Sequence, residues 1–189
     1  MRSFSLGLAL AAFAIGTVSA QSATEKAPPP AIPALDDAGI FALLDKANSM
    51  EIELGDLAAR QGKSSEVRDL GKKFAADHGT AKQKAKDLAA KIGVTPAMPP
   101  MDPMKKDEAK ADYEASLDKL KGLKGSEFDV AFVTREIEHH TRMLDAVENK
   151  FLPAATNADL KALLTELKPS LQSHLDQARA LEKKLALSQ

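Results

Sequence analysis

Apolar residues recur at steps of three and four along most of the chain, the spacing that lines up side chains on one face of an α-helix. Four long stretches carry it. The first runs from about Asp37 to Gln61, with Leu44, Ala47, Leu54 and Ala58 on its seam. The second runs from about Ser65 to Ile92, with Val67, Leu70, Phe74, Ala81, Ala85, Leu88 and Ile92. The third, from about Ser126 to Lys150, reads Val130, Val133, Ile137, Leu144, Val147 and then Phe151. The fourth starts at Asn157 or Asp159 and reaches about Leu187, with Leu160, Leu164, Leu167, Leu171, Ala178, Leu181 and Leu185. A shorter helix is expected over about Lys106 to Lys121, with Leu117 and Leu120 on one side. The period-two alternation of a half-buried strand is absent.

Cap and breaker residues divide these stretches. Asp36 or Asp37 can accept from the first free amides of helix one, and Ser64 or Ser65 can do so for helix two after Gly62 ends helix one. Gly93, Pro96, Pro99, Pro100 and Pro103 interrupt the chain after helix two, and Gly122 and Gly125 close the short helix. Leu152-Pro153 is expected to end helix three, and Pro169 to kink helix four. Short links make helices one and two, and three and four, antiparallel hairpins. The link between helices two and three, about 30 residues, can run the length of a bundle, as the single crossover of ferritin-like bundles does. The expected fold is therefore all-α: a four-helix bundle over residues 37–188, its long crossover holding a short extra helix, with a parallel placement of helices two and three open to it.

The N-terminus reads differently. Arg2, the apolar run Phe4 to Val18 and the small-residue ending Val18-Ser19-Ala20 form a secretory signal cleaved after residue 20. Residues 21–36, with Pro28-Pro29-Pro30 and Pro33, form a Pro-rich linker. Export to the periplasm follows, with no transmembrane span left after cleavage. A net charge of −1 over 189 residues offers no basic footprint for nucleic acid. The chain has no cysteine, which excludes disulfides, thiolate chemistry and Cys-based metal sites and leaves stability to packing.

Each seam is interrupted by one polar residue: Glu51, His78, His140 and His174. The midpoint of Glu51 and His78 falls between Ser64 and Ser65, and that of His140 and His174 falls on Asn157, so each pair is level within its hairpin. Burying one such group alone costs a few kcal/mol. Three imidazoles and a carboxylate in one layer form a first shell for a divalent metal: zinc, copper, iron or manganese. Asp77 and Glu136 flank their histidines and can orient the rings, while His139 sits one step off the seam, at its edge. Glu136 and His139 form one Glu-x-x-His step, but Ala75 and Leu171 stand where a second would need Glu, so a di-iron centre is not expected. Met98, Met101 and Met104 in the crossover are read as packing or loop residues rather than soft copper(I) ligands. Neither a nucleophile elbow nor a Gly-rich phosphate loop is present, so no catalytic residue is assigned. The alternative function is a non-catalytic structural or stress-related interaction module whose polar layer only fixes helix packing.

Four segments together resemble a known family. They are Met50-Glu51-Ile52-Glu53-Leu54-Gly55-Asp56-Leu57-Ala58, Phe74-Ala75-Ala76-Asp77-His78, Phe128-Asp129 followed by His140, and Leu171-Gln172-Ser173-His174-Leu175. In this order, over about residues 36–186, they resemble the ferritin-like family named domain of unknown function 4142. The resemblance implies a bundle in an exported bacterial protein, often labelled an outer-membrane protein, with no established activity. It also implies recurrent polar positions at Glu51, His78, His140 and His174. Phe132 stands where the family usually has Tyr, and Lys168-Pro169 where it has Leu-Pro.

Overall fold

The structure is a computed structural model that describes residues 34–100 and 103–187, without the side chains of 103–112. The expected signal sequence, most of the expected Pro-rich linker, Met101 and the Met104 side chain lie outside the described residues. The described residues contain no strand. Helix α1 spans Asp37–Gln61, α2 Ser65–Lys91, α3 Pro103–Gly122, α4 Gly125–Ala146 and α6 Ala158–Leu187. Between α4 and α6 lie a π-helical turn, Val147–Phe151, and a single turn, α5, at Leu152–Ala154.

Local chemistry accounts for the ends. Asp36 Oδ1 accepts from Gly39 N at 2.7 Å and starts α1; the Gly62 N–H donates to Ala58 O and closes it. Ser64 Oγ accepts from Val67 N at 3.2 Å and starts α2. Pro153 does not break the third long helix as expected. Its ring would meet the carbonyl four residues back in an α-helix. The π turn widens the chain there, with Leu152 N donating to Val147 O, five residues back, and the helix ends only at Ala155, where ψ is 132°.

Helices α1 and α2 form one hairpin, and α4 and α6 the other. Each hairpin holds the turn of its neighbour through an aspartate. Asp129 of α4, 2% exposed, accepts from Lys63 N and Ser64 N, both at 2.8 Å. Asp37 of α1 accepts from Thr156 N at 2.8 Å, Thr156 Oγ1 at 2.6 Å and Asn157 N at 3.0 Å. The start of α1 thus lies at the α4–α6 turn and the start of α4 at the α1–α2 turn, so α2 and α4 run in the same direction. The segment between them spans the bundle: Ala97 N bonds to Ala38 O at one end, and the Gln61 amide holds Leu120 O at the other. Stripping the carboxylate in Asp129→Ala takes the acceptor from two partly exposed amides of the α1–α2 turn. It is expected to cost about 3 kcal/mol in urea unfolding, because each bond to a charged group contributes about 1.5–3 kcal/mol. Asp129→Asn is expected to recover part of this loss.

The core is two apolar clusters with a polar layer between them. Leu54, Phe74, Phe128, Phe132, Leu117 and Leu120 belong to one, and Ile40, Phe41, Leu44, Val147, Phe151 and Leu160 to the other. The phase of α4 differs from the sequence reading. Val130, placed on the seam, is 38% exposed, while Phe128, Phe132, Glu136 and His140, four apart, are each 0–1% exposed. The two phenylalanine rings bury more area than Val130 would and turn the helix toward themselves. The layer is also richer than one polar residue per helix, since Asn48 joins Glu51 on α1 and Glu136 joins His140 on α4.

Candidate metal centre

His78, His140 and His174 each offer a ring nitrogen within 4.8 Å of the others. The other ring nitrogen of each is already committed. His78 Nδ1 lies 2.9 Å from Asn48 Oδ1, and Asn48 Nδ2 donates to Leu44 O at 2.8 Å, which makes that Oδ1 an acceptor and His78 Nδ1 the donor. His140 Nδ1 lies 2.9 Å from the backbone oxygen of Glu136 and must donate to it. His174 Nε2 lies 2.8 Å from Asp77 Oδ2 and donates to that carboxylate, which Lys73 also holds. The hydrogen bonds therefore leave His78 Nε2, His140 Nε2 and His174 Nδ1 as the lone-pair nitrogens of neutral rings. His78 Nε2 is buried and has no hydrogen-bond partner among the described residues. His140 Nε2 and His174 Nδ1 face each other at 3.2 Å. Two lone pairs at that distance repel unless a proton or a cation lies between them. The Phe74 ring stacks on His174 at 4.3 Å between centroids, fixing its plane.

Glu51 is not part of this triplet. It groups with Glu136 and His140 instead. Its Oε1 lies 3.4 Å from Arg135 Nη1 and 3.4 Å from His139 Nε2, and Arg135 Nη1 also lies 3.7 Å from Glu136 Oε1. Glu51 Oε2 and both Glu136 oxygens find no donor among the described residues when both carboxyls are ionised. Burial, and then the Glu51 charge, push the Glu136 carboxyl well above its ordinary value. Burial alone would raise Glu51 too, but the positive charge of His139, the hydrogen bond with Glu136 and the charges of His78 and His140 bring it down to about 2. Those imidazoles are neutral near pH 7, so of these causes the neighbouring Glu136 carboxyl, itself raised toward its protonated form, is the one that persists there.

Sequence reasoning placed Asp77 and Glu136 beside their own histidines. In the structure Asp77 instead bonds His174, across from α2 to α6, and Glu136 bonds His140 through its backbone. Asn48 and Arg135 went unseen. Glu136 carried a legible signal, the step of four linking Phe128, Phe132, Glu136 and His140. Asn48 lies four residues after Leu44, on a row that read as Leu44, Ala47, Glu51.

Burial pushes His78 down to about 3 and His139 to about 4 from 6.5, with neighbouring imidazoles adding to the shift and Glu51 opposing it. His140 and His174 are lowered as well, again mainly by burial. The unfolded chain therefore takes up protons near pH 6.5 that the folded chain refuses at His78 and His139 until about pH 3 and about pH 4, and resists at His140 and His174 as well. Raised Glu136 acts in the opposite sense: it keeps a proton that the unfolded chain releases at the ordinary carboxyl value, so its contribution weakens as pH rises. The melting temperature of the metal-free protein is expected to fall steadily from pH 6.5 to 4, where the four lowered imidazoles outweigh Glu136, with a shallower fall in His78→Phe, and to fall again above pH 6.5, where Glu136 acts without them. A midpoint that rises on acidification from pH 6.5 to 4 would contradict these assignments.

The family described as "Domain of unknown function (DUF4142)" matches residues 20–181, and the chain belongs to it. No curated protein sequence matches the chain. Among solved structures it is similar to a DUF305 protein from Streptomyces coelicolor described as secreted, at 16% identity and a TM-score of 0.63, covering 79% of this chain and 93% of that one. A DUF305 fragment from Deinococcus radiodurans is similar at 15% identity and 0.64, covering 82% and 99%. CopM in the Cu(II)-bound form is similar at 14% and 0.61, covering 80% and 99%. At these identities the likeness is one of fold.

Proposed function

We propose that this DUF4142 protein binds one divalent transition-metal ion through His78 Nε2, His140 Nε2 and His174 Nδ1. One observation carries the reading: three buried imidazoles from three helices have their outer N–H groups fixed by Asn48, the Glu136 backbone and Asp77, which leaves each ring one lone-pair nitrogen in a group whose ring nitrogens come within 4.8 Å of one another. Metal-ligating histidines are held in this way, because the outer acceptor selects the tautomer and the ring orientation. The 3.2 Å between His140 Nε2 and His174 Nδ1 is close to the ~3.3 Å separating two nitrogens bound to one tetrahedral ion at about 2.0–2.1 Å. An ion would replace the repulsion between those lone pairs with two bonds.

All-imidazole donors suit copper(II) and zinc better than manganese, and copper binds such sets most tightly. The shared fold with CopM, which was solved with Cu(II), supports trying copper first. Iron and zinc remain in the same donor class. No helix among the described residues is long and apolar enough to cross a membrane. With the N-terminal signal pattern, that supports a role in the periplasm as an exported metal-binding protein, storing or carrying an ion. Calorimetric titration of the untagged protein with Cu(II) and Zn(II), alongside elemental analysis of protein isolated from the periplasm, tests the reading. One ion per chain is expected; a chain that takes up neither ion in calorimetry rules it out.

A further inference from the structure

Three nitrogens leave a metal's coordination sphere incomplete, and the structure has room beside them. A cavity of about 40 Å³ opens against His78 and His174, walled by Asn48, Glu51, His139 and Met143. One water occupies about 10–15 Å³ of such volume, so the cavity takes a ligand of about three atoms. Charge decides what kind. Three neutral imidazoles leave both positive charges of a divalent ion uncompensated. The two carboxyl groups that line the cavity are already engaged on one oxygen each: Asp77 Oδ2 holds Lys73 and His174, and Glu51 Oε1 faces Arg135 and His139. A buried dication with neutral donors draws an anion to itself, because an unpaired buried charge is costly.

We infer that this cavity is the seat of an exchangeable small anion, two or three atoms long, bound to the ion held by the histidine triplet and enclosed by His78, His174, Glu51 and His139. The inference rests on metal binding by the histidine triplet. It gives that metal an open position, the arrangement of reactive rather than purely structural centres. The competing arrangement is a closed site in which Glu51 swings in as fourth ligand. Glu51 lines the same cavity, so the two arrangements exclude each other.

Azide is the probe. The full chain is loaded with one Cu(II), its copper content is measured, and azide is added while the azide-to-copper charge-transfer band is followed. Wild type and Glu51→Gln are both expected to show a saturable band at one azide per copper. A band in Glu51→Gln alone means that Glu51 fills the position, and overturns the inference. So does the lack of a band in both proteins while copper is bound. Ala81 also lines the cavity. Ala81→Leu is expected to weaken azide binding at least tenfold and leave copper content unchanged; azide binding at wild-type strength there places the anion elsewhere and overturns the inference too. A wild-type chain that takes up no copper fails at the earlier step, removing the metal reading and this inference together.

Discussion

Cu(II) present at about 100 times its dissociation constant is expected to stabilise the fold by about 2.7 kcal/mol. For a chain of this size that is a rise of about 5–11 °C in melting temperature. His78→Ala, His140→Ala and His174→Ala are each expected to abolish the rise, and a double variant to lose no more than a single one, since three ligands around one ion act as a unit. Glu51→Gln is expected to keep most of it, because Glu51 groups with Glu136 and Arg135 rather than with the triplet. Asp77→Asn separates ligation from support. It removes the carboxylate that orients His174, without touching a ligand, and is expected to cost 10–100-fold in copper affinity, as outer-shell losses do. Differential scanning with and without copper, and competition with a chelator of known affinity, read these effects. A full thermal shift surviving in His140→Ala would sink the assignment.

Much of this architecture could be read from residue order, because helix ends and hairpins are decided locally. Asp36, Ser64 and Gly62 cap or stop helices through bonds within a few residues, and the short links could close only as antiparallel turns. The three histidines stood out as polar breaks in apolar rows. The α4 phase was harder, since Val130 and Phe128 are both apolar and only packing against the other helices decides which turns inward. The separation of Glu51 from the triplet was not legible at all. Height along a hairpin places two residues at one level, but the side of the layer each reaches depends on helix rotation and on Arg135, which arrives from α4. Tautomers were equally hidden, because the acceptors that select them are a backbone oxygen and side chains from other helices.

The second large effect concerns the seam of the first hairpin. At Gly55 an added methyl would lie 2.6 Å from Gly71 O, and at Gly71 it would lie 2.6 Å from Gly55 O and 2.7 Å from the Ala58 methyl. Backbone meets backbone here, so no flexible side chain can yield, and α1 and α2 must separate to admit a Cβ. Overpacking of this kind costs typically about 1–3 kcal/mol. Gly71→Ala is expected at the upper end of that range, with a fall of about 6–12 °C in melting temperature. Gly71→Val is expected to leave little folded protein. Gly79, also in α2, has nothing within 4 Å of the added position. Gly79→Ala is therefore expected to raise the melting temperature slightly, by removing the entropic cost of glycine in a helix. Equal effects at Gly71 and Gly79 would mean that the helices are not in backbone contact.

Asp37 and Asp129 have a kinetic consequence. Each hairpin's turn is fastened only after the other hairpin has docked, and the histidines are divided in the same way: His78 comes from one hairpin, His140 and His174 from the other. No ligand triplet exists in either half alone, so an ion has nothing to grip until the two halves have met. Bonds that form after the rate-limiting step leave the folding rate unchanged and slow unfolding. Bound metal would therefore set how long the assembled chain survives before it unfolds and becomes open to proteolysis, rather than how fast it assembles.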